Sequence, residues 1–259
     1  MSDEYILALR KIRTAFGTQV VHENLDLTLY RGEILGLAGG SGSGKTTLLR
    51  QMALLTPAQQ GEISLFGENI HKCHEKKLNL LRQRLGIMFQ QGALFSGLTV
   101  LENIAFPLKE HTDLSKQLIN QIANLKLSLV GLPTQVGNKY PSELSGGMVK
   151  RAAIARAIAL DPELIFLDEP TAGLDPNSAA ALDELILSMK KLLGLTVVVV
   201  THDLDTLWHT TDRVALLGNK RVLAVEPMEK LVQNDEPLVQ AYFHQNRAQL
   251  AKERAWNQK

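Results

Sequence analysis

Cysteine is all but missing: Cys73 stands alone among 259 residues, so no disulfide can staple the chain and a reducing compartment is expected. His71 and His74 flank it, but no second Cys/His pair follows at zinc spacing, which leaves a solvated turn as the reading of that cluster. Long apolar runs are missing too. The longest, 164–167 and 195–200, fall far short of the roughly 20 residues that cross a bilayer, so the chain is not expected to span a membrane. No basic-then-apolar leader opens it, and a cytoplasmic home is expected. Charge of one sign is also lacking: 28 Lys+Arg against 27 Asp+Glu leave a net +1, which gives no electrostatic reason to expect nucleic acid as a partner. Internal repeats, low-complexity tracts and long linkers are absent. What is present is a 45% hydrophobic composition, enough to bury the core of one large domain or a core with a subdomain.

Short aliphatic or β-branched runs alternate with stretches of 3.6-residue periodicity, the pattern of an α/β domain around a largely parallel sheet. Residues 34–38, 85–89, 164–168, 196–201 and 213–217 read as buried strands, most of them leading into a loop and a helix. The earlier segments 5–9, 24–29 and 62–66 alternate or carry turn residues nearby, which predicts an antiparallel layer. Between about 97 and 160 the strand signal gives way to helical periodicity, and this stretch is read as an inserted helical subdomain. Within it Leu118, Ile122, Leu125 and Leu129 mark one helix face. Residues 176–193 predict a helix with Pro176 at its first position and a core stripe of Leu182, Leu185, Ile186, Met189 and Leu193. One domain is drawn at 1–245 with a tail at 246–259. In the tail Arg247, Lys252, Arg254 and Trp256 either touch a partner or lipid headgroups or form a solvated end, while Val239, Tyr242 and Phe243 predict a packed terminal helix.

The most specific signal is Gly39-Gly40-Ser41-Gly42-Ser43-Gly44-Lys45-Thr46, a phosphate-binding loop set between a strand and a helix. Glycines let successive N–H groups converge on phosphate oxygens and the helix adds its positive end. Lys45 meets the β- and γ-phosphates, Thr46 offers a hydroxyl to Mg²⁺, and Thr47 follows in the same turn. A flexible Gly/Ser turn would not need the Lys-Thr pair. The second signal is the strand 164–168, four apolar residues ending in Asp168 and followed by Glu169. At the carboxyl end of a parallel strand Asp168 can hold Mg²⁺ and Glu169 can deprotonate an attacking water. Alone, the Asp-Glu pair would also serve as a helix-starting turn. Third comes Ser145-Gly146-Gly147-Met148 before an alanine-rich helix. It is either a second anion-binding helix end, lacking its own lysine and so completing another chain's site, or a serine cap with glycines shaping the entry.

These motifs, with a later Thr201-His202-Asp203, occur in the order of the ABC-transporter ATPases, which the sequence resembles over about residues 5–235. The resemblance implies a P-loop NTPase fold with a RecA-like core sheet, an N-terminal antiparallel β subdomain and an inserted helical subdomain. It also implies ATP and Mg²⁺ as cofactors, and a head-to-tail homodimer in which the phosphate loop of one chain and residues 145–148 of the other enclose each ATP. His202 matches the histidine that contacts the γ-phosphate, and Gln90 the glutamine that touches Mg²⁺ or the attacking water. Asp175, in Ala172-Gly173-Leu174-Asp175, matches the loop crossing the dimer interface and is also a good helix N-cap. Phe16 matches the aromatic that stacks on adenine, with a core phenylalanine as the rival reading.

Met148 stands where the signature usually has glutamine. That departure, with Phe89-Gln90-Gln91-Gly92-Ala93-Leu94-Phe95 and Glu102-Asn103-Ile104-Ala105-Phe106-Pro107-Leu108, resembles the ATPases of the MCE-type phospholipid transporters. The resemblance implies phospholipid movement between inner and outer membranes and peripheral attachment to the cytoplasmic face of the inner membrane. Its implied partners are a permease pair, an MCE-domain lipid-binding protein and in some systems a small STAS-domain subunit. Phe95, Leu98 and Phe106 are candidate permease contacts or core residues. An importer ATPase for amino acids or other small polar solutes would share every nucleotide motif. A soluble ABC ATPase acting on nucleic acid usually carries two cassettes, coiled coils or basic extensions, which are absent here.

Overall fold

A computed structural model describes residues 5–244. The chain opens with a long antiparallel hairpin, β1 (Tyr5–Phe16) and β2 (Gln19–Tyr30). Lys11, at φ 49°, lies where the pairing of β1 with both its neighbours shifts register, so β1 runs well past the predicted strand end. Next come β3 (Ile34–Gly39), α1 (Lys45–Met52), β4 (Gln60–Leu65), β5 (Glu68–Asn69), α2 (Glu75–Gln83) and β6 (Leu85–Met88). Three helices follow, α3 (Val100–His111), α4 (Lys116–Leu129) and α5 (Gly146–Ala157). The chain then returns through β7 (Leu164–Asp168), α6 (Pro176–Leu193), β8 (Thr196–Val200), α7 (Leu204–Thr210), β9 (Arg213–Gly218), β10 (Arg221–Glu226) and α8 (Met228–Leu231).

Two sheets result, an antiparallel one in the order β2-β1-β4-β5 and a second in the order β10-β9-β3-β8-β7-β6. The second is parallel except for β10. Every residue of β3, β7 and β8 is buried, which is why these strands are continuous apolar runs with no alternation. Successive side chains point to opposite faces. Ile165, Leu167, Val197 and Val199 thus join a core with α3, α4, α5 and α6. Leu164, Phe166, Val198 and Val200 join another with α1 and the antiparallel sheet. The central sheet is thereby clamped between a helical layer and a β layer, and its register fixes the site. Leu37 of β3 lies beside Val200 of β8, and Val200 beside Asp168 of β7, so three strands end along one edge.

The helices are locally well specified. Thr99 caps α3 with a capping box to Glu102, Ser115 caps α4, and α6 begins at Pro176 and stops at Gly194 in the left-handed region. The predicted face of α4 is corrected: Leu118 and Leu125 are exposed and Ile122 and Leu129 only half-buried. The buried face is Ile119, Ala123, Lys126 and Leu127. Lys126 buries its stem on that face and reaches Asp161 with its ammonium. On α6, Leu182, Ile186 and Met189 are buried, whereas Leu193 is exposed at the helix end. Nothing in the sequence marks the strand β10 after the Asn219-Lys220 turn, because its half-buried residues lack a clean alternation. Residues 237–244 are helical, with Val239 and Phe243 packed on Leu207, Leu216 and Leu231. Arg247, Lys252, Arg254 and Trp256 lie outside the described residues.

Candidate nucleotide site

The loop 40–44 leaves the central strand β3 and enters α1 directly. Gly44, the residue before α1, has φ 93°, and a Cβ there would meet Nε2 of His22 at 2.4 Å, so only glycine lets the helix start this close to β2. No side chain caps α1 and no acid occupies its first turn. Its first N–H groups are therefore free to hold an anion. Gly40 and Gly42 face open space, leaving room for phosphate oxygens. The Ser43 hydroxyl is buried with no hydrogen-bond partner. Lys45 curls over the loop, its Nζ donating to the carbonyls of Gly39 at 2.8 Å and Gly40 at 3.1 Å. Burial pulls its pKa down, against the opposing pull of Glu169 and Asp168, and a phosphate would offer it a stronger acceptor.

Asp168 ends β7 and is 7% exposed. Burial, then the neighbouring Glu169, raise its pKa, while Arg50, Lys150 and Lys45 act in the other direction. It forms no ion pair among the described residues, and its carboxylate, the exposed Thr46 hydroxyl and the exposed Gln90 amide together are oxygen donors suited to a hard divalent cation. Glu169 has φ 49°, a left-handed backbone that costs on the order of 1–3 kcal/mol for a residue with a Cβ. Its N–H donates to the Val200 carbonyl at 2.8 Å. Its carboxylate meets Nδ1 of His202 at 2.9 Å and accepts a longer bond, 3.4 Å, from Thr201 Oγ1. The imidazole is 69% exposed and so open to a ligand. Thr47 is half-buried behind Thr46 in the same turn.

The other predicted residues lie apart from this cluster. Ser145 caps α5, its Oγ accepting from the Met148 N–H at 3.4 Å. Ser145 and Gly146 are exposed, Gly147 and Met148 half-buried. Among the described residues no hydrogen bond joins them to the phosphate loop of their own chain. A Cβ on Gly146 would lie 3.6 Å from Leu174, so the signature sits beside the loop 172–175. Asp175 caps α6 through Asn177 and Ser178, and hydrogen bonds led by that to Ser178 hold its carboxyl below the usual range. Phe16, at the end of β1, is 64% exposed, which excludes the core reading. Phe95 and Phe106 are exposed as well and stack at 4.8 Å with tilted rings, whereas Leu98 is half-buried. His71, Cys73 and His74 gather no metal-binding group among the described residues.

Sequence reasoning passed over two groups at this site. His22, fully buried beneath the phosphate loop, bonds Thr14 Oγ1 through Nδ1, and burial lowers its pKa. Lys150 and Arg156, on α5, hold the loop after β6. Lys150 Nζ donates to the Gln90 carbonyl, and Arg156 to those of Ala93 at 2.8 Å and Gly92 at 3.0 Å. The only available signal was their charge within an alanine-rich helix.

A strand-loop-helix phosphate cradle on a parallel sheet, with paired acids at the end of β7 two strands away, defines a phosphate-loop nucleotide-binding α/β protein. The model of the family described as ABC transporter matches residues 22–172. The chain is 40% identical over 238 residues to the "Intermembrane phospholipid transport system ATP-binding protein MlaF" of Escherichia coli strain K12, covering 92% of this chain and 88% of that one. It is 38% identical over 233 residues to the "Probable ribonucleotide transport ATP-binding protein mkl" of Mycobacterium tuberculosis strain H37Rv, covering 90% of this chain and 65% of that one. Among solved structures, the dimeric post-hydrolysis state of the ATP-binding cassette MJ0796 bound to ADP and Pi superposes with a TM-score of 0.77 at 30% identity, covering 86% of this chain and 98% of that one. The chain belongs to the ABC transporter family.

Proposed function

We propose that this chain is the ATP-hydrolysing subunit of a transporter that moves phospholipids between membranes. The observation that carries the chemistry is the meeting of Lys45, Asp168, Glu169 and His202 where three parallel strands end at an uncapped helix. Cargo is read from the likeness to the E. coli protein and from Met148. Lys45, Ser43 and the amides of 40–46 bind and orient the phosphates, and Phe16 supplies an exposed face for adenine. Thr46, Gln90 and Asp168 would hold Mg²⁺, which supplies charge neutralisation at the phosphates. Glu169 takes the proton of the attacking water, and His202 holds that carboxylate while its exposed ring meets the γ-phosphate. Residues 145–148 make no hydrogen bond to the phosphate loop of their own chain among the described residues and carry no lysine of their own, so in this reading a second copy completes each site. The dimer arrangement named for MJ0796 supports this reading.

The partners follow from the same likeness: a permease pair docking near Phe95 and Phe106, an MCE-domain protein and in some systems a STAS-domain subunit, on the cytoplasmic face of the inner membrane. No helix among the described residues is long and apolar enough to cross a membrane. Pull-down of the tagged full chain from detergent-solubilised native membranes, with proteins and lipids identified by mass spectrometry, tests the assignment. Recovery of a permease, an MCE-domain protein and phospholipid is expected. Recovery of a solute-binding protein with another permease, or a ribonucleotide as cargo, would overturn it.

A further inference from the structure

Lys150 lies one turn into α5, the helix that opens with Ser145, Gly146 and Gly147, and it is 6% exposed. A buried ammonium must be compensated, or it costs several kcal/mol. No carboxylate pairs with it among the described residues. Its Nζ donates instead to two backbone carbonyls, of Gln90 and, at 3.0 Å, of Glu169. Those carbonyls belong to loops leaving different strands, β6 and β7. One of them needs holding: Glu169 sits at φ 49°, secured on its N–H side by Val200 and on its carbonyl side by Lys150. Asp168 and Glu169 also act on the lysine electrostatically, opposing the burial that lowers its pKa. A lysine kept solely to fill space would be better replaced by an apolar side chain of the same length.

We propose that Lys150 is a positioning residue for ATP hydrolysis, its ammonium locking the Gln90 and Glu169 backbones to the helix that begins at Ser145. The inference rests on the assignment of Glu169 as the base. In the proposed dimer the N-terminus of α5 faces the nucleotide of the partner chain, while Lys150 holds the hydrolytic residues of its own. One helix therefore touches both sites, and a displacement of its first turn is passed to Glu169.

The test compares the full chain with Lys150→Met, which keeps the length and loses the donors, and with Lys150→Arg, which keeps charge and donors. For Lys150→Met, kcat for ATP is expected to fall at least tenfold, with KM and the affinity for a fluorescent ATP analogue within about twofold, and Lys150→Arg is expected to recover most of the loss. Without nucleotide, hydrogen–deuterium exchange is expected to rise in peptides spanning 88–93 and 168–172 and to stay unchanged in α6. If Lys150→Met does not fold, Lys150→Gln, which keeps an amide donor, carries the same comparison. Unchanged kcat in a folded variant, or KM rising in step with falling kcat, would overturn the proposal. A wild-type chain without ATPase activity would instead sink the functional reading beneath it.

Discussion

Asp183 carries an unused cost that a single substitution can expose. It lies on the buried face of α6, 8% exposed, where Oδ2 accepts from Thr206 Oγ1 at 3.1 Å and Oδ1 has no partner. Burial is the chief cause that pushes its pKa from 3.8 to about 6. Thr206 and His209 act against that rise, and Asp203 and Asp205 add to it. Because the folded pKa is raised, the folded state binds more protons than the unfolded state between those two values. Stability therefore falls as pH rises through the window, and above it the ionised carboxylate costs about 3 kcal/mol. Asp183→Asn removes the titration. The new amide NH₂ lacks a partner where Oδ1 was, but that penalty does not vary with pH, so the pH dependence of the difference isolates the effect. Going from about pH 7.5 to about pH 5, the wild type should gain roughly 1–2 kcal/mol on the variant. In a domain of this size that is a relative shift of about 2–8 °C in Tm. Urea melts of both proteins at the two pH values measure it. A stability difference that stays constant with pH, or that moves in favour of the variant as pH falls, would mean that burial does not raise the Asp183 pKa.

Two further substitutions separate binding from folding. Phe16→Ala should weaken ATP binding by about 1–3 kcal/mol, roughly 5- to 150-fold, if the exposed ring stacks on adenine. The melting temperature should hold within a degree or two, because so little of the ring is buried, and titration with a fluorescent ATP analogue beside a thermal melt reads both. Lys45→Ala removes a charge-assisted contact to phosphate and should cost ATP affinity about 1.5–3 kcal/mol while barely changing adenosine binding, measured by calorimetry.

How much could be read from sequence followed the physics of each element. Strands β3, β7 and β8 were plain because burial on both faces leaves uninterrupted aliphatic runs, and their motifs fall where those runs stop. The α4 face is ambiguous in sequence because leucines occur on both sides of that helix. Leu118 and Leu125 fall on one stripe by spacing, yet α3 and α5 take up Ile119, Ala123 and Leu127, with Lys126 among them. Amphipathic periodicity cannot choose between two apolar faces when a buried position carries a charge whose partner, Asp161, lies 35 residues away. In the same way nothing local marks Lys150 as buried, since its acceptors are backbone carbonyls 60 and 19 residues distant. Glu169 and His202 were each identified from their own motif, but their direct contact depends on β7 and β8 being neighbours.

If this chain hydrolyses ATP with Glu169 as the base, Glu169→Gln should stop turnover and leave the nucleotide bound. Gln keeps the size and an acceptor oxygen while losing the ability to take a proton. Steady-state ATPase rate and nucleotide retention would be measured on the wild type and the variant under identical MgATP. Turnover is expected to fall at least about 100-fold, with ATP binding kept and dimer accumulating on size-exclusion chromatography. Undiminished hydrolysis by the variant would contradict the assignment of Glu169 as the base.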